Sequence, residues 1–151
     1  MQLVPARQAV LADLEKIVPL FDGYRQFYGQ PSDEAAVRGF LRKRFEQRDS
    51  VLFVAEVEGR AVGFTQLYPT FSSVSMARTF VLNDLFVSPE ARKSGVGRGL
   101  LSAAAHYARE VGAIRLSLST AITNQAGQSL YEAAGWRRDE VFYVYHFATN
   151  V

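Results

Sequence analysis

The stretch NDLFVSPEARKSGVGRGLL, Asn83 to Leu101, decides the reading of this chain. It begins as an apolar strand and turns at Ser88-Pro89. It then gathers Arg92, Lys93 and Arg98 around Gly95, Gly97 and Gly99, and continues as helix. A helix N-terminus presents N–H groups without intrahelical partners and a partial positive charge. Glycines at such a junction let a ligand approach the main chain, and the three cations add full charge. The combination predicts a phosphate site, pyrophosphate in particular. Taken alone, the same glycines also suit a tight turn and the same cations a solvated surface. The spacing matches neither the P-loop pattern nor the dinucleotide fingerprint, because Gly95-x-Gly97-x-Gly99 lacks the two-residue gap before its last glycine.

Working outward, Gln2 to Ala6 reads as a short first strand. Val10, Leu11, Leu14, Ile17, Val18 and Phe21 repeat at helical spacing, with Pro19 as a kink or stop. FDGYRQFYGQPS reads as a glycine-punctuated aromatic loop or irregular helix. Ser32 or Asp33 caps a second helix carrying Val37, Phe40, Leu41 and Phe45. Val51–Val57 and Ala61–Tyr68 form a hairpin, TFSSVSMA a polar loop, and Thr79–Val87 another strand. A helix runs from Ser94 or Gly95 to about Val111, with Val96, Leu100, Ala104, Ala108 and Val111 as its inner stripe. Ile114, Leu116 and Leu118 alternate as a strand to Thr120. Asn124 opens a short helix that ends at Gly135, and DEVFYVYHFAT is the last strand. The sum is one α/β domain spanning 1–151 with a mixed sheet.

The chain has 151 residues, 48% of them hydrophobic, enough for a core of ordinary domain size. Seventeen Lys and Arg stand against fifteen Asp and Glu, too even a balance for nucleic acid as the main partner. With no cysteine there is no disulfide, thiolate metal site or Cys nucleophile. His106 and His146 are the only histidines, which argues against a zinc site, and no metal is expected. No apolar run reaches the ~18 residues of a membrane span, and MQLVPARQAV lacks the apolar core of a signal peptide. A cytoplasmic protein with no membrane or nucleic-acid partner is expected.

RKSGVG, Arg92 to Gly97, resembles the [QR]-x-x-G-x-[GA] segment of the GNAT N-acetyltransferase superfamily. LNDLFV ahead of it and NQAGQSLYEAAGW after it are similar to that family's other two signatures. The resemblance extends from Val51 to Phe147, in the family's order of elements. It implies a single-domain GNAT-like fold, with a mostly antiparallel mixed sheet split between its fourth and fifth strands and flanked by helices. It also implies acetyl-CoA as co-substrate. Carried over, Arg92, Lys93, Ser94, Gly95, Val96, Gly97 and Arg98 hold the pyrophosphate, and the backbone of Leu85, Phe86 and Val87 pairs with the pantetheine arm. The split sets Thr79–Val87 against Ile114–Thr120.

Asn124, Gln128 and Tyr131 lie i, i+4, i+7 on one helical face, with Gly127 leaving room beside them and Leu130 and Ala134 turned inward. By spacing alone they are also an ordinary cap and a packed tyrosine. The resemblance sets Tyr131 near the coenzyme sulfur as general acid, and Asn124 against the pantetheine. A leaving thiolate has a pKa near ~8.5, within reach of a phenol's proton. A backbone N–H near Leu85 or Val87 would stabilise the charge growing on the carbonyl oxygen. The attacking amine, with a pKa of ~10.4 if lysine-like, must first lose a proton. Polyamine-acetylating relatives carry a carboxylate where this chain has Asn83. Asp84 is the nearest alternative base, although alternation sends Asn83 and Asp84 to opposite faces; a water relay without a single base and a purely structural Asp84 both stay open.

For the acceptor, Asp22, Tyr24 and Tyr28 combine an acid with aromatic faces, suited to a cationic amine. Tyr68, Ser72 and Asn83 extend that surface. YPTFSSVSMA resembles a loop of histone- or polyamine-type members. The expected reaction is acetyl transfer to a primary amine of a small molecule or peptide; a non-catalytic acyl-CoA sensor is the alternative. The aromatic alternation of VFYVYHF suits core or a dimer edge, and a homodimer is expected.

Overall fold

The apolar run Val51–Val57 finds cover on both faces, and it forms strand β2 of a five-stranded sheet. In the computed structural model, which describes residues 3–150, the sheet order is β1 (Ala6–Gln8), β2, β3 (Arg60–Ser72), β4 (Ala77–Val87) and β5 (Leu116–Ser117). The first three junctions are antiparallel, and β5 lies parallel to β4. A parallel neighbour needs a crossover connection, which helix α3 (Val96–Glu110) supplies. The chain divides into two compact units, one reaching Thr120 and a smaller one beginning at Ala121.

In the first unit, alternation along the strands separates two cores. Leu52, Val54 and Phe64 face helices α1 (Leu14–Phe27) and α2 (Glu34–Gln47), where Ile17, Val18, Phe21, Val37 and Leu41 complete one cluster. The Phe21 and Phe64 rings stand 5.5 Å apart. Phe53 points the other way, and the Tyr107 ring of α3 lies 5.7 Å from both Phe53 and Phe80. Val96, Leu100, Ala104 and Ala108 are buried along α3 as their spacing predicts, whereas Val111 is 47% exposed because the helix ends before it. Each fully buried aliphatic chain contributes about 1.5–3 kcal/mol.

Several expectations need correction. The first strand is Ala6–Gln8 rather than Gln2–Ala6; Gln2 itself lies outside the described residues. Helix α1 runs through Pro19 and Gly23 to Phe27 and absorbs half of the supposed loop, because Ile17, Val18, Leu20 and Phe21 are all buried by its course. The polar loop shrinks to the turn Ser73–Met76, since β3 and β4 continue as a long hairpin, with Arg78 set over the Phe71 ring at 4.6 Å. Strand β5 is confined to Leu116–Ser117, although the Ile114 N–H donates to the Arg78 carbonyl at 2.9 Å and the Arg115 carbonyl accepts from the Phe80 N–H at 3.1 Å just before it. The expected last strand, Asp139–Thr149, has no strand assignment, and among the described residues of the second unit there is no other strand to pair with it. That unit contains α4 (Gln125–Ala133), capped by Asn124 as predicted.

An ion network ties β1 to β2 and to the turn before α1. Arg7 donates to Asp13 at 2.8 and 2.9 Å and to Glu56 at 2.6 and 3.1 Å, while the Val10 N–H donates to Asp13 at 2.8 Å. The Arg7 guanidinium, opposed by burial and helped by the Val10 amide, lowers the Asp13 carboxyl from 3.8 to about 2. A depressed carboxyl stabilises the fold above its unfolded pKa and loses that contribution as pH falls through the folded value. We therefore expect stability to decline between about pH 4 and pH 2 by roughly 1–2 kcal/mol from this pair, after screening at half-exposed Arg7. Thermal melts across that window should show the decline, and Asp13→Asn should remove it.

Candidate active site

The turn before α3 is built from two residues in the left-handed region, Lys93 (φ 61°) and Gly95 (φ 91°). Left-handed residues alternating with ordinary ones turn successive amides toward one side, a concavity suited to anions. Gly95 caps α3, and the first bond of that helix runs from the Gly99 N–H to the Gly95 carbonyl at 3.1 Å. The amides of Val96, Gly97 and Arg98 precede it and are offered at the helix end. Lys93, Ser94 and Arg98 are exposed there. Ser94 Oγ donates to the Ala91 carbonyl, closing the turn from outside. Arg92 is partly committed: its Nε donates to the Val87 carbonyl at 2.9 Å, and its guanidinium lies 5.5 Å from the Phe86 ring centre.

Gly99 has a different role from the ligand approach its position suggests. A Cβ there would fall 1.6 Å from the Val4 carbonyl oxygen, and the Val4 N–H donates to the Gly95 carbonyl at 2.9 Å. The N-terminal segment thus locks the turn through the space that Gly99 leaves. Gly99→Ala should cost roughly 2–3 kcal/mol by overpacking, or about 5–10 °C in Tm. Differential scanning calorimetry reads this directly.

Strand β4 splits from β5 after Val81. Phe80 and Val81 pair with Leu116 and Ser117, and among the described residues the ladder between the two strands goes no further toward Val87. The Asp84 carbonyl accepts from Thr65 Oγ1 at 2.7 Å and the Ser88 N–H donates to Val62 at 2.8 Å, so both residues face β3. Alternation turns the N–H groups of Leu85 and Val87 to the opposite, opened side. Phe86 is paired with Phe64 and turns its main chain into β3, away from the opened side on which pantetheine pairing was expected of it; its ring lines a cleft.

A bulge changes the reading of Asn83 and Asp84. Gln66 pairs with Asp84 but Leu67 pairs with Leu82, leaving Asn83 as the extra residue. Bulging breaks the two-residue alternation, and the two side chains meet: Asn83 Nδ2 donates to Asp84 Oδ1 at 2.9 Å. Gln66 Nε2 donates to Asp84 Oδ2 at 2.7 Å, and Ser50 Oγ donates to Gln66 Oε1 at 2.8 Å. Asp84 is buried while Asn83 is exposed. Nearby Tyr68 is half-buried; burial first, then the Asp84 charge, pushes its phenol up to about 12. It remains a proton donor throughout the neutral range.

The expected acceptor residues divide. Tyr24 donates to the Asn83 carbonyl at 3.1 Å, and its ring meets Phe64 and Tyr28 edge-on at 5.9 and 5.2 Å. Tyr28 is 51% exposed. Asp22, expected to meet a cationic amine, is 3% exposed and accepts from Ser32 Oγ, the Asp33 N–H and Gln26 Nε2 at 2.7–3.0 Å. Those donors hold its carboxyl below the usual range, the Asp33 amide most. Its charge is used to shape the α1–α2 connection, and we withdraw it from the acceptor surface. Ser72 Oγ accepts from the Ser75 N–H at 3.2 Å and belongs to the hairpin turn. An open cleft of about 840 Å³ lies between α1 and the end of β4, lined by Pro19, Gly23, Arg60, Phe86, Glu90 and Arg92 among others. Arg60 and Glu90 went unnoticed in the sequence because the Glu58-Gly59-Arg60 turn carries only a hairpin signal.

In the second unit, Asn124 Oδ1 accepts from the Gly127 N–H at 3.1 Å. The space left by Gly127 is filled by the Asn124 amide, 2.5 Å from where a Cβ would stand. Gln128 Nε2 donates to the Ala121 and Ile122 carbonyls at 3.2 and 2.8 Å and braces the loop before α4. Tyr131 is half-buried, its ring 6.2 Å from Trp136, and Leu130 and Ala134 are half-buried rather than buried.

This arrangement of an amide-lined turn after a strand that parts from its neighbour has counterparts among known proteins. The model of the acetyltransferase (GNAT) family matches residues 15–136, and the chain belongs to that family. It is 50% identical over 145 residues to the Bacillus subtilis (strain 168) protein named uncharacterized N-acetyltransferase YhfO, covering 96% of each chain. A crystal structure of a probable acetyltransferase shares 40% identity at a TM-score of 0.92, covering 100% of this chain and 99% of that one. The aminoglycoside N-acetyltransferase AAC(6')-Iy, solved with CoA, superposes at a TM-score of 0.79 with 22% identity, covering 97% of this chain and 95% of that one, a likeness of fold alone. Together the family and the near relatives make this chain an N-acetyltransferase of GNAT type. The sensor alternative finds no support among them, and the family's acyl donor is acetyl-CoA. No relative singles out the histone- or polyamine-type subgroup.

Proposed function

We propose that the chain transfers an acetyl group from acetyl-CoA to a primary amine of a small molecule or peptide by direct attack on the thioester. The observation that carries this is the junction of two features in the first unit: the amides of Val96–Arg98 at a helix end, and the opened β4 edge at Leu85 and Val87. The coenzyme supplies an activated acyl group. Its pyrophosphate suits the turn amides with Lys93, Ser94, Gly95 and Arg98, and Arg92 adds charge. The Leu85 and Val87 N–H groups serve the pantetheine and the carbonyl oxygen as charge builds on it. The phenol of Tyr131 protonates the departing thiolate, and Asn124 and Gln128 shape the helix that carries it.

Asp84 is the base in this reading, reached from the exposed Asn83 side through ordered water. Its support is the bulge that draws the two side chains together. Tyr24, Tyr28 and Tyr68 present aromatic faces to the amine, and Tyr28 and Tyr68 add phenol hydroxyls. A polyamine-like, amino-acid-like or protein-lysine acceptor fits that chemistry. We take residues 1–151 as one functional domain that works in the cytoplasm as a homodimer, without metal, nucleic acid or membrane.

Calorimetric titration with acetyl-CoA, then thiol-release assays across an amine panel, tests the proposal. Micromolar coenzyme binding with amine-dependent thiol release is expected. Absence of coenzyme binding would overturn the assignment of the turn; binding without release for any amine would overturn catalysis.

A further inference from the structure

The bulge in β4 is gripped by two hydroxyls from different elements. Asn83 is the extra residue between β3 and β4, and at such a residue the ladder is disrupted. Two successive carbonyls across this point accept from side chains. The Tyr24 hydroxyl on α1 donates to the Asn83 carbonyl at 3.1 Å, and Thr65 Oγ1 on β3 donates to the Asp84 carbonyl at 2.7 Å. The grips come from opposite faces of the sheet. Phe64 turns toward α1, where the Tyr24 ring meets it edge-on at 5.9 Å. Alternation turns Thr65 to the other face, beside its partner Phe53 on β2. Thr65 is 0% exposed. Valine would suit such a buried strand position by shape, whereas a hydroxyl there costs free energy unless it is hydrogen-bonded.

A trans peptide is planar, and its C=O and N–H point opposite ways. The Asp84 carbonyl and the Leu85 N–H belong to one such plane. Holding that carbonyl against β3 therefore aims the Leu85 N–H at the opened side of β4. A donor on the carbonyl also strengthens the N–H at the far end of the same peptide. Tyr24 fixes the preceding plane, from the Asn83 carbonyl to the Asp84 N–H. The peptide before Val87 begins at Phe86, in regular pairing with Phe64, so the hydroxyl-held amide is the one beside the bulge.

We propose that Thr65 and Tyr24 are positioning residues for acetyl transfer, and that the Leu85 N–H they aim is the one that donates to the thioester carbonyl oxygen. This rests on the acetyltransferase reading above and divides the work of its two opened amides. As the amine nitrogen bonds to the thioester carbon, the carbonyl π pair moves onto oxygen, where the Leu85 N–H meets it. The pair returns as the C–S bond breaks and the thiolate leaves; the proton transfers are those given above. Thr65 acts only through the main chain. Tyr24 keeps its ring toward the amine and spends its hydroxyl on the bulge.

Isotope-edited infrared spectroscopy of acetyl-CoA labelled with carbon-13 at the thioester carbonyl reads the aimed amide, alongside coenzyme titration and turnover of the full chain. Thr65→Val should raise the stretching frequency of the bound carbonyl above its wild-type value. It should lower turnover by about 10–100-fold, less than outright loss of an oxyanion donor, with acetyl-CoA affinity within about threefold. Thr65→Ser keeps a hydroxyl and should recover most of both changes. Tyr24→Phe keeps the ring and loses the hydroxyl; it should raise the same frequency and lower kcat by about tenfold with the amine KM unchanged. If Thr65→Val does not fold, Tyr24→Phe decides. A carbonyl frequency that stays at the wild-type value in the variants overturns the proposal. So does a Thr65→Ser protein as deficient as Thr65→Val, which would make packing the cause. Coenzyme affinity that falls in step with turnover overturns it too, by making the hydroxyls supports of the coenzyme site. A wild-type protein that binds no acetyl-CoA fails the acetyltransferase reading itself. One that binds and turns over while the variants match it fails only the positioning role.

Discussion

Tyr131→Phe should lose turnover by roughly 10²-fold while its affinity for acetyl-CoA stays within about threefold. Phenylalanine keeps the ring beside Trp136, 6.2 Å away, so the packing of α4 is preserved and only the hydroxyl is removed. Proton donation to a leaving thiolate matters most when that thiolate is basic. An acyl donor whose thiol has a lower pKa leaves unaided, so the variant's deficit should shrink on such a donor. Stopped-flow thiol release with two acetyl thioesters of different leaving-group pKa gives both numbers. A deficit equal on both donors would take the proton-donor role away from Tyr131; a loss of coenzyme affinity matching the loss of turnover would make it a binding residue.

Asp84→Asn should lower kcat/KM by about 10²-fold, the usual size for loss of a general base. The substitution also has a structural consequence. Both Asp84 oxygens accept from amide donors, Asn83 Nδ2 and Gln66 Nε2. An asparagine would set its own NH₂ against one of them and lose a buried hydrogen bond, at a cost of about 1–3 kcal/mol. Activity therefore has to be measured well below the lowered melting temperature. Asn83→Ala separates the two effects, because it removes one donor and leaves the carboxylate. It should retain most of its turnover if Asp84 is the base. Should Asp84→Asn melt earlier yet turn over normally when folded, the carboxylate is structural and the proton leaves through water alone.

These two residues also mark how far the sequence was legible. The helical face of Asn124, Gln128 and Tyr131 follows from a local 3.6-residue period, and the cap at Asn124 formed as expected. The Asn83–Asp84 contact was hidden. It depends on a bulge whose register is set by β3, a strand distant in sequence, and a two-residue period gives no sign of where pairing slips. Asp22 misled for a similar reason: an acid among aromatics looks like a cation site until Ser32, Asp33 and Gln26 close around it. Gly99 sits in a glycine cluster that suggests ligand approach, yet its space is taken by Val4 from the other end of the unit.

By itself the sequence determined the elements whose signal is local: the α3 stripe, the hairpin of β2 and β3, the glycine-bearing turn before α3 and the capped α4. Tertiary structure alone decided where β4 leaves β5, which backbone amides are thereby opened, how the N-terminal segment locks the turn, and that VFYVYHF has no strand assignment. Periodicity and capping are properties of neighbouring residues. Strand register, close backbone approach and burial depend on partners far along the chain.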